Sequence, residues 1–295
     1  MISLMILIPL GLILLLGLIT MLKSFVNVRG DQIAVLERKY MGNKIPDGRV
    51  LAFQNEVGIQ ARILGPGLRF IFPFIYKVTK YTLTKIPIGQ IGIVESIDGT
   101  PLPIGQIFAR SIDGHSSFQD GEAFLKQGGQ KGPQIETLPP GNYRINPLQF
   151  KIKPIASTII APGQLGVVTA ADGKAIEPGR LLGKIIKGHN SFQDIEAFLA
   201  NGGQKGPQAG VILPGEYRIN TDFFEVRKVD ATFIQAEQVG TVTAKDGAPL
   251  GPNEFIAKSI KGHDNFQDIE DFLINCGERG PQIDTLTARI YDINL

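Results

Sequence analysis

His189-Asn190-Ser191-Phe192-Gln193-Asp194-Ile195-Glu196-Ala197-Phe198-Leu199-Ala200 decides the fold, because its pattern recurs 74 residues earlier and 74 residues later. The only three histidines, His115, His189 and His263, fall in register, as do Phe118-Gln119-Asp120, Phe192-Gln193-Asp194 and Phe266-Gln267-Asp268. Outward on the N-terminal side the same shift aligns Asp98-Gly99, Asp172-Gly173 and Asp246-Gly247. On the C-terminal side it aligns Gly132-Pro133-Gln134, Gly206-Pro207-Gln208 and Gly280-Pro281-Gln282 without a gap. A fixed period of this kind marks tandem structural units, each burying its apolar face against its own elements and its neighbours.

A divergent copy precedes these three. Gln32-Ile33-Ala34-Val35 echoes Gln90-Ile91-Gly92-Ile93, and Asp47-Gly48-Arg49-Val50 echoes Pro178-Gly179-Arg180-Leu181. Pro66-Gly67 stands 74 residues before Pro140-Gly141, although the histidine and the Phe-Gln-Asp triplet are missing. The resulting division is an anchor at 1–24, a first module at 25–87, repeats at 88–161 and 162–235, and an incomplete repeat at 236–295.

Within a repeat, the apolar run Gly166-Val167-Val168-Thr169 leads to an Asp-Gly pair, which predicts a tight hairpin turn. Asn190 or Ser191 is placed to cap a short helix carrying Phe192, Ile195, Phe198 and Leu199, and Gly202-Gly203 ends it. Pro214-Gly215 then turns the chain into Tyr217-Arg218-Ile219-Asn220, followed by the strand Phe223-Phe224-Glu225-Val226. In the last copy Ala288-Arg289 replaces Pro-Gly, Asp292 replaces Arg218, and Leu295 directly follows the Tyr-x-Ile-Asn strand. The expectation is that its final strand pair is lacking and that the chain is the N-terminal part of a longer protein.

Composition narrows the function. Thirty basic against 28 acidic residues, with no basic run interleaved with aromatics, exclude nucleic acid as the expected partner. One cysteine, Cys276, rules out an intramolecular disulfide framework. Thirty-five glycines and 19 prolines favour short strands joined by tight turns. Ile2–Leu22 carries no charge and, at ~1.5 Å per residue, is long enough to cross the hydrocarbon layer of a bilayer. It has no basic n-region and no small-x-small cleavage site, so a transmembrane anchor is expected rather than a cleaved signal. Lys23, Arg29, Arg38 and Lys39 on its C-terminal side place the body in the cytoplasm. The fold class read from these signals is α+β: a single-pass N-terminal transmembrane helix, then tandem mostly-β modules, each with a short helix.

The stretch Gly65-Pro66-Gly67-Leu68-Arg69-Phe70-Ile71-Phe72-Pro73-Phe74-Ile75-Tyr76-Lys77-Val78, after the strand Asp31–Arg38, resembles the opening signature of the stomatin, prohibitin, flotillin and HflK/C superfamily. That superfamily is also called SPFH or band 7. The units bearing Asn265-Phe266-Gln267-Asp268, Phe272-Leu273 and Gly280-Pro281-Gln282 resemble those of long flotillin-like proteins of the YqiK type. The resemblance implies SPFH-like modules in a homo-oligomeric scaffold that lies on a lipid bilayer, organises a microdomain or encloses other membrane proteins, and has no active site. Sustained a/d heptads, which would close such an assembly through a coiled coil, are absent from the sequence. A monomeric membrane-tethered repeat module that displays its loops to a protein partner is the alternative, and a membrane-bound hydrolase ranks third.

Leu68, Phe70, Ile71, Phe72, Phe74 and Ile75 form a candidate membrane-contacting wedge, with Lys77 and Lys80 placed to meet anionic headgroups. A buried strand hairpin is the competing reading of that segment. His115, Asp120, His189, Asp194, His263 and Asp268 invite a metal or acid–base reading, but each repeat supplies one histidine and a zinc site needs three or four converging ligands. A structural role at the helix start is therefore expected for these six. No phosphate-binding, dinucleotide, metalloprotease or Gly-x-Ser-x-Gly motif occurs, so neither cofactor, metal nor catalytic residue is assigned.

Overall fold

A computed structural model describes residues 2–294, the side chains of residues 2–11 and 13 excepted. Helix α1 (Ile2–Lys23) leads into the first module, made of β1 (Phe25–Val28), β2 (Gln32–Arg38), β3 (Gly58–Leu64), β4 (Gly67–Phe70) and β5 (Tyr76–Thr82). The second module holds β6 (Thr84–Ile86), β7 (Gln90–Ser96), α2 (Gly121–Lys126), β8 (Gly132–Leu138), β9 (Gly141–Tyr143) and β10 (Phe150–Ala156). The third repeats this order as β11 (Thr158–Ile160), β12 (Gln164–Ala170), α3 (Ile195–Ala200), β13 (Gly206–Ile212), β14 (Gly215–Tyr217) and β15 (Phe224–Asp230). The fourth has β16 (Thr232–Phe233), β17 (Gly240–Ala244), α4 (Ile269–Ile274), β18 (Gly280–Leu286) and β19 (Ile290–Tyr291).

Small antiparallel sheets build every module. A central strand lies between two neighbours in the orders β3-β2-β5, β10-β7-β8 and β13-β12-β15, while β17 pairs with β18 only. A two-stranded ribbon closes each module: β1 with β4, β6 with β9, β11 with β14, and β16 with β19. The register slips at the same place in all four central strands, between Val35 and Glu37, Ile93 and Glu95, Val167 and Thr169, and Thr241 and Thr243. A bulge of this kind bends a strand and increases its twist. The conserved geometry of four such bulges shows that the central strand is bent the same way in the divergent first module as in the repeats.

The chain divides into two compact units, one of residues 1–104 and 109–155, the other of residues 105–108 and 156–295. Within them buried polar side chains tie successive segments together. In the first unit the Asp98 carboxylate accepts hydrogen bonds from the backbone N–H groups of Val50 (2.9 Å) and Leu51 (2.7 Å). In the second, Asp246 receives Leu181 (3.0 Å) and Leu182 (3.2 Å), and Asp172 receives Ile107 (3.3 Å) and Phe108 (3.4 Å). The other oxygen of each aspartate accepts from the next glycine, Gly99, Gly173 or Gly247. That glycine is required: a Cβ on Gly99 would stand 2.3 Å from the Gly129 carbonyl oxygen. A second clamp comes from the Ile-Asn dipeptide. Asn146 Nδ2 donates to the Gln60 carbonyl (3.1 Å), and Asn294 Nδ2 to that of Gln208 (2.9 Å).

Three expectations need correction. Asp-Gly does not close a hairpin: after β7 the chain runs through a long loop and α2 before β8 returns to pair with it. The helix cap is Asp194 rather than Asn190 or Ser191, with Asp120 and Asp268 in the same role. The fold is mostly strand in small antiparallel sheets, and among the described residues no helix is long and apolar enough to cross a membrane. The continuously described side chains of α1, Leu14–Lys23, rise only about 15 Å, half of a hydrocarbon layer roughly 30 Å thick. The rest of the expected span, residues 1–11 and 13, lies outside the described side chains. The transmembrane helix, the single-pass localisation and the cytoplasmic placement that rested on it are withdrawn with this finding.

Asp98 is buried with three N–H donors on its carboxylate. Asp98→Ala is therefore expected to lower the stability of the first unit by about 3 kcal/mol, since hydrogen bonds to a charged group are lost and buried donors are left unpaired. Asp98→Asn, which keeps one acceptor oxygen, is expected to lose less. Urea unfolding of both variants checks the order.

Candidate functional site

Two places concentrate chemistry. The first is the histidine turn. Ser116, Ser117 and Phe118 have φ of 49°, 54° and 62°, a run of three left-handed residues repeated at Asn190-Ser191-Phe192 and Asp264-Asn265-Phe266. L-residues resist this conformation by roughly 1–2 kcal/mol each, so the surroundings must hold it. The histidine supplies that hold: Nδ1 of His115, His189 and His263 accepts the N–H of Phe118 (2.8 Å), Phe192 (2.7 Å) and Phe266 (2.8 Å). The ring also packs on that phenylalanine, with centroids 4.5, 4.3 and 4.3 Å apart.

The rest of the motif completes the turn. Gln119 Nε2 donates to the Ser116 carbonyl, and its Oε1 accepts the Arg144 N–H at 3.0 Å. Gln193 and Gln267 do the same for Arg218 (2.9 Å) and Asp292 (2.9 Å). The Asp120, Asp194 and Asp268 carboxylates each accept an N–H in the first helical turn at 2.9 Å, as helix caps do. Every side chain in the His-x-x-Phe-Gln-Asp pattern thus has a defined task in holding one turn and docking one strand.

An Nδ1 acceptor fixes the neutral tautomer with its proton on Nε2. In the first repeat Nε2 of His115 stands 3.2 Å from Glu136 Oε2. Burial pushes the His189 pKa below its ordinary value, outweighing the backbone contacts and the Asp194 charge that raise it. No group of three or more His, Cys, Asp or Glu side chains among the described residues is placed to hold a metal ion. Open cavities of about 300 Å³ beside His189 and about 400 Å³ beside Asp120 are lined mainly by backbone and by Lys184, Lys187, Arg62 and Lys126. Cys276 is exposed and sits where the equivalent residues are Gly128 and Gly202.

The second place is the wedge. Leu68, Phe70, Phe72 and Phe74 are 65, 55, 50 and 63 % exposed, values that a buried hairpin would not show. Their rings form a row with Phe25, which the sequence reading missed: successive centroids are 5.5 Å (Phe25 to Phe70), 6.3 Å (Phe70 to Phe72) and 6.4 Å (Phe72 to Phe74). Phe25 joins because β1 pairs with β4 in a register that sets Phe25 opposite Phe70. Its position directly after an apolar helix was the available signal. Ile71 and Ile75 instead turn inward and are half-buried. The Ile71 N–H donates to the Ser24 carbonyl (2.7 Å), fixing the wedge to the end of α1, whose described leucines are exposed. Lys80 Nζ donates to the Asn27 carbonyl (2.7 Å) and Lys77 pairs with Glu37 (3.6 Å), so both lysines stay near this ribbon, with exposed Arg69 on β4 itself.

No protein-family model and no curated protein matches the chain. The band-7 and flotillin assignment drawn from Gly65–Val78 accordingly has no family match behind it, and the wedge is interpreted below from its geometry alone.

A buried neutral histidine gives a defined pH response. The folded-state pKa of His189 lies below the unfolded value of about 6.5, so its contribution is fully present above that value and is lost as pH falls through the folded pKa. Thermal unfolding midpoints are expected to drop on going from pH 7.5 to pH 5.5. His189→Asn, which retains a neutral acceptor, is expected to drop less over the same interval.

Proposed function

We propose that this chain is a non-catalytic tandem-repeat scaffold that rests on a lipid surface through the Phe25, Leu68, Phe70, Phe72 and Phe74 wedge and acts in several copies. The row of exposed phenylalanines carries the reading. A contiguous exposed apolar patch is uncommon on a protein surface without a partner, and aromatic and leucine side chains flanked by cations suit the headgroup boundary of a bilayer. Arg69 lies within the wedge strand, and Lys77 and Lys80 lie on β5 nearby, giving an anionic surface its counterpart. This contact is interfacial and needs no span.

Several copies follow from magnitude. Each large apolar side chain contributes roughly 1.5–3 kcal/mol when fully buried, and partial insertion of five gives a weak, reversible contact. Linked copies turn later contacts into intramolecular events and hold the surface far more tightly. The non-catalytic reading is supported by the histidines, whose rings are buried and whose Nδ1 atoms are committed to backbone.

Sedimentation with phosphatidylcholine/phosphatidylserine vesicles tests the proposal. The chain is expected to pellet with vesicles and to do so less as salt rises. Phe70→Ser/Phe72→Ser/Phe74→Ser, all on exposed positions, is expected to stay in the supernatant with an unchanged far-ultraviolet circular dichroism spectrum. Equal pelleting of the variant would overturn the wedge as the contact.

A further inference from the structure

The fourth module differs from the two before it in one respect that creates a site. Strands β7 and β12 are each paired on both edges, but among the described residues β17 has a partner on one edge only. In the third module the other edge is filled by β15, from Gln164 opposite Asp230 to Ala170 opposite Phe224. One 74-residue shift places Ala244, Val242 and Gly240 where Ala170, Val168 and Gly166 receive Phe224, Val226 and Lys228. Four residues of β12 are buried, whereas none of β17 is.

The missing strand leaves a volume as well as an edge. In the third module the Phe224 ring lies 5.1 Å from both Phe192 and Phe198, and Phe223 lies 4.9 Å from Phe108 and 6.3 Å from Phe198. In the second, Phe150 fills the same place, 5.2 Å from Phe118 and 5.0 Å from Phe124. The equivalents in the fourth module are Leu182, Phe266 and Phe272, and all three line a cavity of about 430 Å³ with Val242, Ala244 and Ile293. Its wall is thus the mould of two aromatic side chains that this chain supplies to itself elsewhere.

We infer that the β17 edge and this cavity form an acceptor site for an extended segment of another polypeptide. The occupant carries an aromatic residue opposite Ala244, a second aromatic just before it, and aliphatic residues opposite Val242 and Val239. Main-chain hydrogen bonds to the open edge give such an addition its affinity, and pockets for alternate side chains give it specificity. The chain's own β10 and β15 are already paired, so a second copy has no free strand of this kind to lend from its repeats. The inference is independent of the lipid reading, since every residue it uses lies outside the wedge.

The probe is a labelled synthetic peptide with the sequence of residues 220–230, titrated into the full chain and followed by fluorescence anisotropy and hydrogen exchange. Saturable binding is expected, together with slowed exchange in Gly240–Ala244. The same peptide carrying Phe224→Ser is expected to bind roughly tenfold or more weakly, because the aromatic ring fills the cavity. Absence of saturable binding, equal binding of the two peptides, or protection confined to other strands would overturn the site. So would a β17 already protected in the chain alone, since the edge would then be occupied by self-association.

Discussion

A buried carboxylate that reaches back to an earlier segment is the interaction on which this fold depends. Asp98, Asp172 and Asp246 each spend one oxygen on the following glycine and the other on two N–H groups 47 to 65 residues earlier in the chain. An aspartate removed from water is costly unless its oxygens are satisfied, and here three donors satisfy each one. The same bonds also satisfy backbone donors in loops that no sheet would otherwise pair. Asn146 and Asn294 add a second tie of the same kind from the opposite end of their modules. With these in place, sheets of two or three short strands, too small to be stable alone, share buried surface with the preceding segment.

The histidine turn is the local counterpart of that constraint. It brings Phe118, Phe192 or Phe266 from a strained left-handed backbone into an aromatic core against the helix phenylalanine. The glutamine next to it docks the Tyr-x-Ile-Asn strand, whose asparagine ends in the clamp just described in the second and fourth modules. One short motif therefore links a core residue, a helix cap and an inter-segment tie. This is why a pattern with the residue types of a catalytic or metal site serves here to hold backbone.

The sequence disclosed this organisation unevenly. Registering Asp-Gly, His-x-x-Phe-Gln-Asp and Gly-Pro-Gln at one period needed nothing but the residues, and those landmarks mark the turns, helix starts and strand starts of the structure. Their tasks were harder to see. Asn190 and Ser191 have good capping chemistry, but left-handed backbone takes both into the turn and leaves the cap to Asp194. Asp-Gly has good hairpin chemistry, but its carboxylate is drawn to N–H groups distant in sequence. The apolar run Leu68–Ile75 did not say which side chains face outward; pairing of β4 with β1 settles that, sending the phenylalanines out with Phe25 and leaving Ile71 and Ile75 half-buried. Hydropathy and length alone also overstated the N-terminal segment, for which no membrane-crossing helix is found among the described residues.

Hydrogen exchange at the Leu51 amide tests the central claim most directly, because this N–H lies in no strand and its acceptor is Asp98 Oδ2. The account requires it to exchange as slowly as the amides of β2 in the native chain, and to lose that protection in Asp98→Asn while β2 retains its own. A Leu51 amide that exchanges as fast as an exposed loop in the unaltered protein would contradict the claim that buried carboxylates tie the segments together.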